Sequence, residues 1–498
     1  MTFAWALFIA YLAGTAWLGW LGFRKTTGFS SFAVGNREMN PVVVGVILAA
    51  SVSSASTFII NPGFVYVDGF SAFFHFSIAV GIGFIGMLCM LSFRFRRIGA
   101  DKVALTIPDW IGKRYSSRGF ALYFSVLNLL SFAFVVLLVG GISIVMQSLL
   151  GISNEVALAI TLIFVTGYVF IGGTYAHVLT NMLQGSLMII VTVIVLASCV
   201  WIAMQQPGSV VDSLREIDPG LVAPINVNGK LFNDFFSIYI AGFVVGAIVV
   251  CQPHILTKAL YVKDDKAVRN YLLVFAIVFS MFQMLTVVGF FTHLVVPAEL
   301  LIDTASGQFR QDLVMTMYLK TIFPEAVFTF VSVVLLAAAM STLDGLLVSI
   351  STITANDLVL NVIGKRDRLS EEQQMVFALK VSHVVLVVIA IAAFLINLQP
   401  PKLLGIFGQT GVYGLTTAAA LPLLLGVLFR KIPVALVWVG SVAALVIHFG
   451  LFFSGDALFP NSTLTFGNPG VTAAIASLVT IPATAVIGAL LEARMGRS

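Results

Sequence analysis

Apolar stretches of about twenty residues recur along the whole chain and constrain its fold more than any other feature. A helix of that length crosses a bilayer, because each residue adds about 1.5 Å to the helix and the hydrocarbon core is about 30 Å thick. Such stretches lie near residues 3–23, 42–66, 70–93, 119–149, 154–174, 178–204, 235–256, 271–296, 327–356, 374–396, 403–428, 432–453 and 470–491. The sequence therefore predicts an all-α polytopic membrane protein with about 13 transmembrane helices.

Little of the chain remains for a soluble domain. Hydrophobic residues make up 59% of its 498 residues and charged residues only 10%. The longest polar connections, Gln205 to Asp234 and Pro297 to Glu325, are short for a folded domain. We therefore expect a single integral membrane domain over 1–498. No constellation of nucleophile, base and metal ligands outside the helices indicates an enzyme.

Basic residues are distributed unevenly between the loops. If the N-terminus lies outside, 22 of the 27 Lys and Arg residues fall on the cytoplasmic side, where positive charge is enriched. The excess of basic residues thus reflects topology rather than nucleic-acid binding. It predicts a multi-pass protein of the inner (plasma) membrane with a cytoplasmic C-terminus. On the same side, the mixed apolar and basic segment Arg97 to Ser117 predicts an interfacial amphipathic helix, with a plain loop as the alternative.

Two runs of small polar residues interrupt the apolar spans. The first, residues 50–57, carries five hydroxyl groups and is followed by Asn61-Pro62-Gly63, so this helix is expected to unwind. The second, residues 338–344, places Ala338, Ser341 and Thr342 on one helix face. Unwound carbonyls and hydroxyls near the bilayer midplane are typical of ion sites in secondary transporters. We interpret the two runs as two halves of one cation site, although small residues also permit close helix packing.

Asp344 lies three residues after Ser341 and flanks the same face. A carboxylate at the bilayer centre costs about 2.5 to 3.5 kcal/mol on the translocon scale, so a functional or paired role is the default interpretation. The alternative is a protonated side chain that only forms hydrogen bonds. Among the weaker intramembrane polar signals, Gln409 and Thr410 lie between glycines and His75 lies in the outer half of the third span. They are candidate solute contacts, but such groups often serve only to join helices.

The chain resembles the sodium/solute symporter family, whose members include proline, sugar, iodide, pantothenate and sialic acid carriers. The resemblance covers most of the chain, and its motifs are specific through their order and spacing. They are Phe32-Ala33-Val34-Gly35-Asn36-Arg37, Ser53 to Gly63 with Phe64-Val65-Tyr66, Thr106-Ile107-Pro108-Asp109-Trp110 with Arg114-Tyr115, Ile171-Gly172-Gly173, Leu183-Gln184-Gly185-Ser186-Leu187-Met188, Gln252-Pro253-His254-Ile255-Leu256-Thr257-Lys258 and Ala338 to Thr342.

This resemblance implies a five-plus-five inverted-repeat fold, with repeats over 42–204 and 235–428. One extra helix (3–23) would precede the repeats and two (432–491) would follow them. It also implies a sodium site made by both polar runs. Its ligands would be the backbone oxygens of Ala50, Ser53 and Ala338 and the hydroxyls of Ser341 and Thr342.

The chain departs from the family pattern at Asn181, where many members carry Asp, and at Asp344, where many carry a small or polar residue. The carboxylate has in effect moved between helices. Our hypothesis is that Asp344 tunes the sodium site or takes up a proton, with Asn181 on the other wall. Wild-type coupling in Asp344→Asn, measured by sodium-dependent uptake across a pH series, would end that hypothesis.

Family resemblance further implies sodium-coupled uptake of a small organic solute by alternating access. Because the N-termini of broken helices favour anionic groups, a carboxylate is the leading solute class. The predicted contacts are Ser54, Thr57, Phe58, Gln252 and Gln409, with Phe134 as an aromatic wall. Two alternatives stay open: a proton-coupled symporter that uses Asp344, and a transporter-like sensor that binds solute and signals to a partner.

Overall fold

A computed structural model describes residues 2–34, 39–54, 56–302, 309–362, 370–401, 404–429 and 431–495. Within these ranges the chain is helical apart from loops and one isolated bridge between Ile302 and Phe309. This confirms the prediction of an all-α protein. Two parts of the predicted motifs, Gly35-Asn36-Arg37 and Ala55, lie outside the described residues.

The helices of the first half are α1 (Thr2–Phe23), α2 (Phe29–Val34), α3 (Pro41–Val52), α4 (Ser56–Asp68), α5 (Phe70–Asp101), α6 (Ile107–Tyr115), α7 (Arg118–Leu150), α8 (Asn154–Gln205) and α9 (Val210–Ile217). Those of the second half are α10 (Phe236–Val249), α11 (Pro253–Tyr261), α12 (Asp265–Val295), α13 (Val314–Ile322), α14 (Glu325–Val362), α15 (Glu371–Asn397), α16 (Leu404–Leu428), α17 (Val434–Leu458) and α18 (Pro469–Met495).

Ten of the described helices are long and apolar enough to cross a membrane. Two further spans are broken: α3 and α4 meet at a bend of 56°, and α10 and α11 meet at 64°. Each broken span opens one of the two predicted repeats, 42–204 and 235–428. This agreement supports the repeat division, which stays a prediction.

Helix α8 holds two of the predicted spans, 154–174 and 178–204, in one element of 52 residues. At about 1.5 Å per residue such a helix is more than twice as long as the hydrocarbon core is thick. It breaks at Gly173, whose φ of 49° and ψ of −136° are non-helical. A side chain there would also overlap the ring of Phe32, so the position requires glycine for both conformation and space. The total of 13 spans remains a prediction.

Helix α14 lies in the centre of the bundle, and nearly all of its middle is buried. It packs against α3, α7 and α8, whereas the peripheral helices expose apolar side chains such as Trp17, Ile391 and Val439. An apolar perimeter suits contact with lipid. The second polar run lies on α14, and the first begins on α3 and continues to the start of α4; Ala50, Ser51, Ser341 and Thr342 are buried where α3 and α14 meet.

The predicted interfacial helix is shorter than the segment Arg97 to Ser117. Its first residues complete α5, and the separate helix α6 begins only at Ile107 because Thr106 caps it. Its apolar face packs on protein: Trp110 Nε1 donates to Phe95 O at 3.2 Å, and Arg114 Nε donates to Gly426 O at 2.7 Å. This helix is thus part of the bundle surface, because its aromatic and basic side chains find partners on α5 and α16.

Candidate cation and solute sites

The first polar run breaks its helix through its own hydroxyl groups. Helix α3 ends at Val52, and the next residue, Ser53, leaves the helical region with φ −85° and ψ 76°. The Ser54 hydroxyl then accepts from the backbone N–H of Ser56 at 3.2 Å, which replaces a helical hydrogen bond. The chain resumes as a π-helical turn over Ser56–Ile60. Carbonyl oxygens at the end of α3 are therefore free to face α14.

Helix α14 meets those carbonyls with two hydroxyl groups. Ser341 Oγ lies within hydrogen-bond distance of Ala50 O (2.9 Å) and of Ala338 O (2.8 Å), and Thr342 Oγ1 donates to Ser51 O at 2.8 Å. All five residues are buried. We call them the oxygen cluster. Its polar atoms are carbonyl and hydroxyl oxygens, the donor set that a hard cation such as sodium takes in broken transporter helices.

Four of the five predicted sodium ligands thus come together in the oxygen cluster: Ala50, Ala338, Ser341 and Thr342. In place of the predicted carbonyl of Ser53, the carbonyl that contacts Thr342 belongs to Ser51. Ser53 is itself fully buried, and its hydroxyl has no hydrogen-bond partner within the described residues.

Asn181 joins the oxygen cluster from the wall formed by α8. Its amide nitrogen Nδ2 donates to Ser51 Oγ and to Ser341 O, each at 3.0 Å. One side chain thereby contacts both polar runs. Its amide oxygen Oδ1 is buried and has no hydrogen-bond partner within the described residues. The geometry therefore brings Asn181 to Ser341, as the hypothesis about a moved carboxylate requires.

The Asp344 carboxylate points toward α8. Tyr168 Oη donates to Asp344 Oδ2 at 3.0 Å, Thr180 Oγ1 donates to the same oxygen at 3.2 Å, and His177 Nδ1 lies 2.8 Å from Asp344 Oδ1. The same His177 nitrogen lies 3.2 Å from Asn181 Nδ2. Asp344 is consequently a paired buried group. His177 lies between Asp344 and Asn181, the residue that contacts the oxygen cluster.

Sequence reasoning did not identify Tyr168, His177 and Thr180 as partners of Asp344. A signal for two of them exists: His177, Thr180 and Asn181 are three and four residues apart and share one face of a helix. That spacing marks a polar stripe inside an apolar span. It does not indicate which distant helix the stripe faces.

A central cavity of about 110 Å³ lies beside the broken helices. Five of the predicted solute contacts line it: Ser54, Thr57, Phe134, Gln252 and Gln409. The amide oxygen of Gln252 is buried without a hydrogen-bond partner within the described residues. The wall also includes polar and aromatic residues that were not predicted, namely Asn61, Phe76, Phe84, His254, Phe279, Gln283 and Tyr413.

A family comparison is decisive for the identity of this helical bundle. A profile of the Sodium:solute symporter family matches residues 32–449. The chain belongs to the Sodium:solute symporter family. The resemblance predicted from the motifs is thereby confirmed.

Individual relatives agree with this assignment. The chain is 28% identical over 449 residues to a sodium/pantothenate symporter of Haemophilus influenzae. The aligned region covers 90% of this chain and 88% of that protein. It is 27% identical over 429 residues to a sodium/pantothenate symporter of Escherichia coli, covering 85% of each chain. Since these relatives of the symporter family are transporters, the expectation that the chain is not an enzyme is confirmed.

Among solved structures, a substrate-bound, outward-open Na+-coupled sialic acid symporter has the same fold. The TM-score is 0.74, with 16% sequence identity over 97% of this chain and 98% of the other. The likeness confirms the predicted transporter fold of this family member. The multi-pass character of the chain fits a plasma-membrane protein, whereas the orientation of its termini remains a prediction.

Three predicted solute contacts of this symporter-family protein lie away from the lining of the central cavity. Phe58 packs edge to face on Phe282, with ring centroids 5.4 Å apart. His75 Nδ1 lies 2.8 Å from the carbonyl oxygen of Ser237, and Thr410 Oγ1 donates to a carbonyl of its own helix at 2.7 Å. These contacts give all three side chains structural roles in this conformation.

Proposed function

We propose that the protein is a sodium-coupled symporter that takes up a small, carboxylate-bearing organic solute across the plasma membrane by alternating access. The observation that carries the proposal is the oxygen cluster, in which the hydroxyls of Ser341 and Thr342 face carbonyl oxygens at the end of α3. Sodium would be held there by Ala50, Ala338, Ser341 and Thr342, with Ser51 or Ser53 completing the shell.

Sodium drives uptake in this proposal because it binds one conformation better than the other. A ligand shifts an equilibrium only by the difference in its affinities for the two states. The oxygen cluster supplies such a difference, since it requires α3 and α14 to be in contact. Sodium bound from outside would hold the two helices together while the solute enters the central cavity. Re-entry of sodium down its gradient then makes uptake accumulative.

Support for the solute class comes from the cavity and from the relatives. The sodium/pantothenate symporters act, by name, on a solute that bears a carboxylate. The residues that line the central cavity are neutral or aromatic and include Ser54, Thr57, Gln252 and Gln409, and His254 is the one imidazole among the described residues of this lining. Hydroxyl and amide groups can donate hydrogen bonds to a carboxylate without a fixed counter-charge.

Uptake into sealed proteoliposomes tests the proposal. Pantothenate, proline, another carboxylate and a hexose are offered under an inward sodium gradient, with an equal potassium gradient as the control. We expect accumulation of a carboxylate only with sodium. Equal uptake with either cation would refute sodium coupling, and accumulation of the hexose alone would refute the solute class.

Two other outcomes of the same assay correspond to the alternative functions. Uptake driven by a proton gradient without sodium would indicate a proton-coupled symporter; the contact between His177 and the buried Asp344 is the observation that justifies this arm. Solute binding without uptake under any gradient would indicate a sensor.

A further inference from the structure

A second, smaller chamber lies on the far side of the break between α10 and α11. Its volume is about 20 Å³, enough for about one water molecule. Its lining is rich in polar side chains, which are Thr106, His177, His254, Thr257, Tyr261, Ser349 and Thr352. Leu105 and Thr106 belong to the loop before α6, so this inner chamber lies toward the face that carries most of the basic residues. His254 is shared between its lining and that of the central cavity.

The backbone at His254 is firmly held. The chain turns at Gln252, where φ is −64° and ψ is 137°, and Pro253 then starts α11 with a fixed φ. The carbonyl of His254 accepts a hydrogen bond from Lys258 Nζ at 2.8 Å, and that of Pro253 accepts one from Thr257 Oγ1 at 2.5 Å. These contacts fix where the imidazole is attached without restraining the ring.

One ring nitrogen of His254, by contrast, lacks a partner among the described residues. The residue is 4% exposed, and its Nδ1 is buried with no hydrogen-bond partner within the described residues. The hydroxyl of Thr352, which also lines the inner chamber, is likewise buried without a partner within the described residues. Buried polar groups are almost always hydrogen-bonded, and a missing partner is costly. These two groups therefore offer hydrogen-bonding atoms to a polar molecule that enters the chamber.

We propose that His254 is the gate between the solute cavity and this inner chamber, and that the solute leaves past its ring toward Thr352. The inference rests on the proposed transport function. Because the ring has no hydrogen bond to break at Nδ1, it can turn about its χ1 angle while the backbone stays in place. Gln252 on the cavity side and Thr352 on the chamber side then offer successive polar contacts to the solute.

Thiol accessibility tests the gate without knowledge of the solute. In a background with Cys89, Cys199 and Cys251 replaced by Ala, a reporter Val412→Cys is introduced in the wall of the central cavity. The membrane-impermeant reagent 2-(trimethylammonium)ethyl methanethiosulfonate is applied to the full-length protein in proteoliposomes, from the basic face only. The labelling rate is compared for the parent His254 and for His254→Ala and His254→Asn, which are both smaller.

If His254 is the gate, either smaller side chain should raise the labelling rate at position 412 at least about tenfold. His383→Ala is the matched control, because that ring stacks on Phe170 outside both cavities and its loss should leave the rate unchanged. A second reporter, Thr352→Cys, should be labelled equally fast with His, Ala or Asn at position 254.

An unchanged rate at position 412 in a folded His254 variant overturns the gate, and so does an equal rise in the His383 control. If His254→Ala does not fold, His254→Asn decides. Since labelling does not depend on sodium-driven uptake, a failure of sodium coupling would show in the uptake panel and not in this result.

Discussion

Thr342→Val removes one hydroxyl from the oxygen cluster and leaves a side chain of nearly the same shape. In the structure this hydroxyl donates to Ser51 O at 2.8 Å, and Thr342 is only 1% exposed. A contact to a charged group contributes about 1.5 to 3 kcal/mol. At about 1.4 kcal/mol per tenfold, loss of this oxygen from a bound sodium should raise the half-saturating sodium concentration roughly 10- to 150-fold.

The assay is solute uptake by proteoliposomes at a series of sodium concentrations and at one constant solute concentration. Thr342→Ser keeps the hydroxyl and should remain within about threefold of wild type, because the oxygen is retained. Thr292→Val makes the same change at an equally buried hydroxyl that donates within its own helix to Val288 O, at 2.8 Å. It should leave the sodium dependence unchanged.

A half-saturating sodium concentration in folded Thr342→Val within about threefold of wild type would refute this reasoning. So would an equal shift in Thr292→Val, because the effect would then come from loss of any buried hydroxyl. A moderate loss of thermal stability in both variants is expected and does not bear on the proposed sodium site, since each removes a buried hydrogen bond.

Two further predictions concern the surroundings of the oxygen cluster, and a third concerns the packing of α5 on α10. Asn181→Ala removes the donor shared by the two polar runs. It should raise the half-saturating sodium concentration of uptake about tenfold, as expected for loss of about 1.5 kcal/mol. Asp344→Asn should raise the half-saturating sodium concentration more than the exposed control Asp212→Asn, because it changes a buried carboxylate that contacts three side chains; equal sodium titrations across a pH series would contradict this. Gly83→Ala should lower the free energy of unfolding by about 1 to 3 kcal/mol, since its methyl group would overlap a carbonyl oxygen of the facing helix. The control Gly81→Ala places its methyl group in open space, and similar melting temperatures of the two variants would contradict this prediction.

Helix positions and the polar face of each run could be predicted from sequence because both rest on local information, whereas the sodium ligand set that joins the two runs was implied by the family resemblance. Hydropathy marks where a helix crosses the bilayer, and the spacing of Ala338, Ser341 and Thr342 marks one face of it. The break after Val52 follows from hydroxyl groups that compete for backbone hydrogen bonds. Such features require no knowledge of the neighbouring helices.

Contacts between distant helices were beyond that information. His177 and Asp344 are 167 residues apart, and their pairing depends on how α8 lies against α14. For His75, the same limit led to a predicted solute contact where the structure shows a contact between helices. Its position in an outer half-span indicated a solute contact, whereas the structure pairs its ring nitrogen with Ser237 O and packs the ring 4.4 Å from that of Phe232.

The positions of Asp344 and Asn181 explain how a carboxylate on α14 can influence the oxygen cluster without touching the cation. Both carboxylate oxygens of Asp344 already face groups on α8, so the side chain acts mainly by fixing that helix against α14. On α8, His177 is one helical turn from Asn181, which in turn contacts Ser51 and Ser341. Because His177 and Asn181 lie on one face of α8, loss of Asp344 or of Asn181 should disturb the same contact between helices, at which we propose that sodium binds.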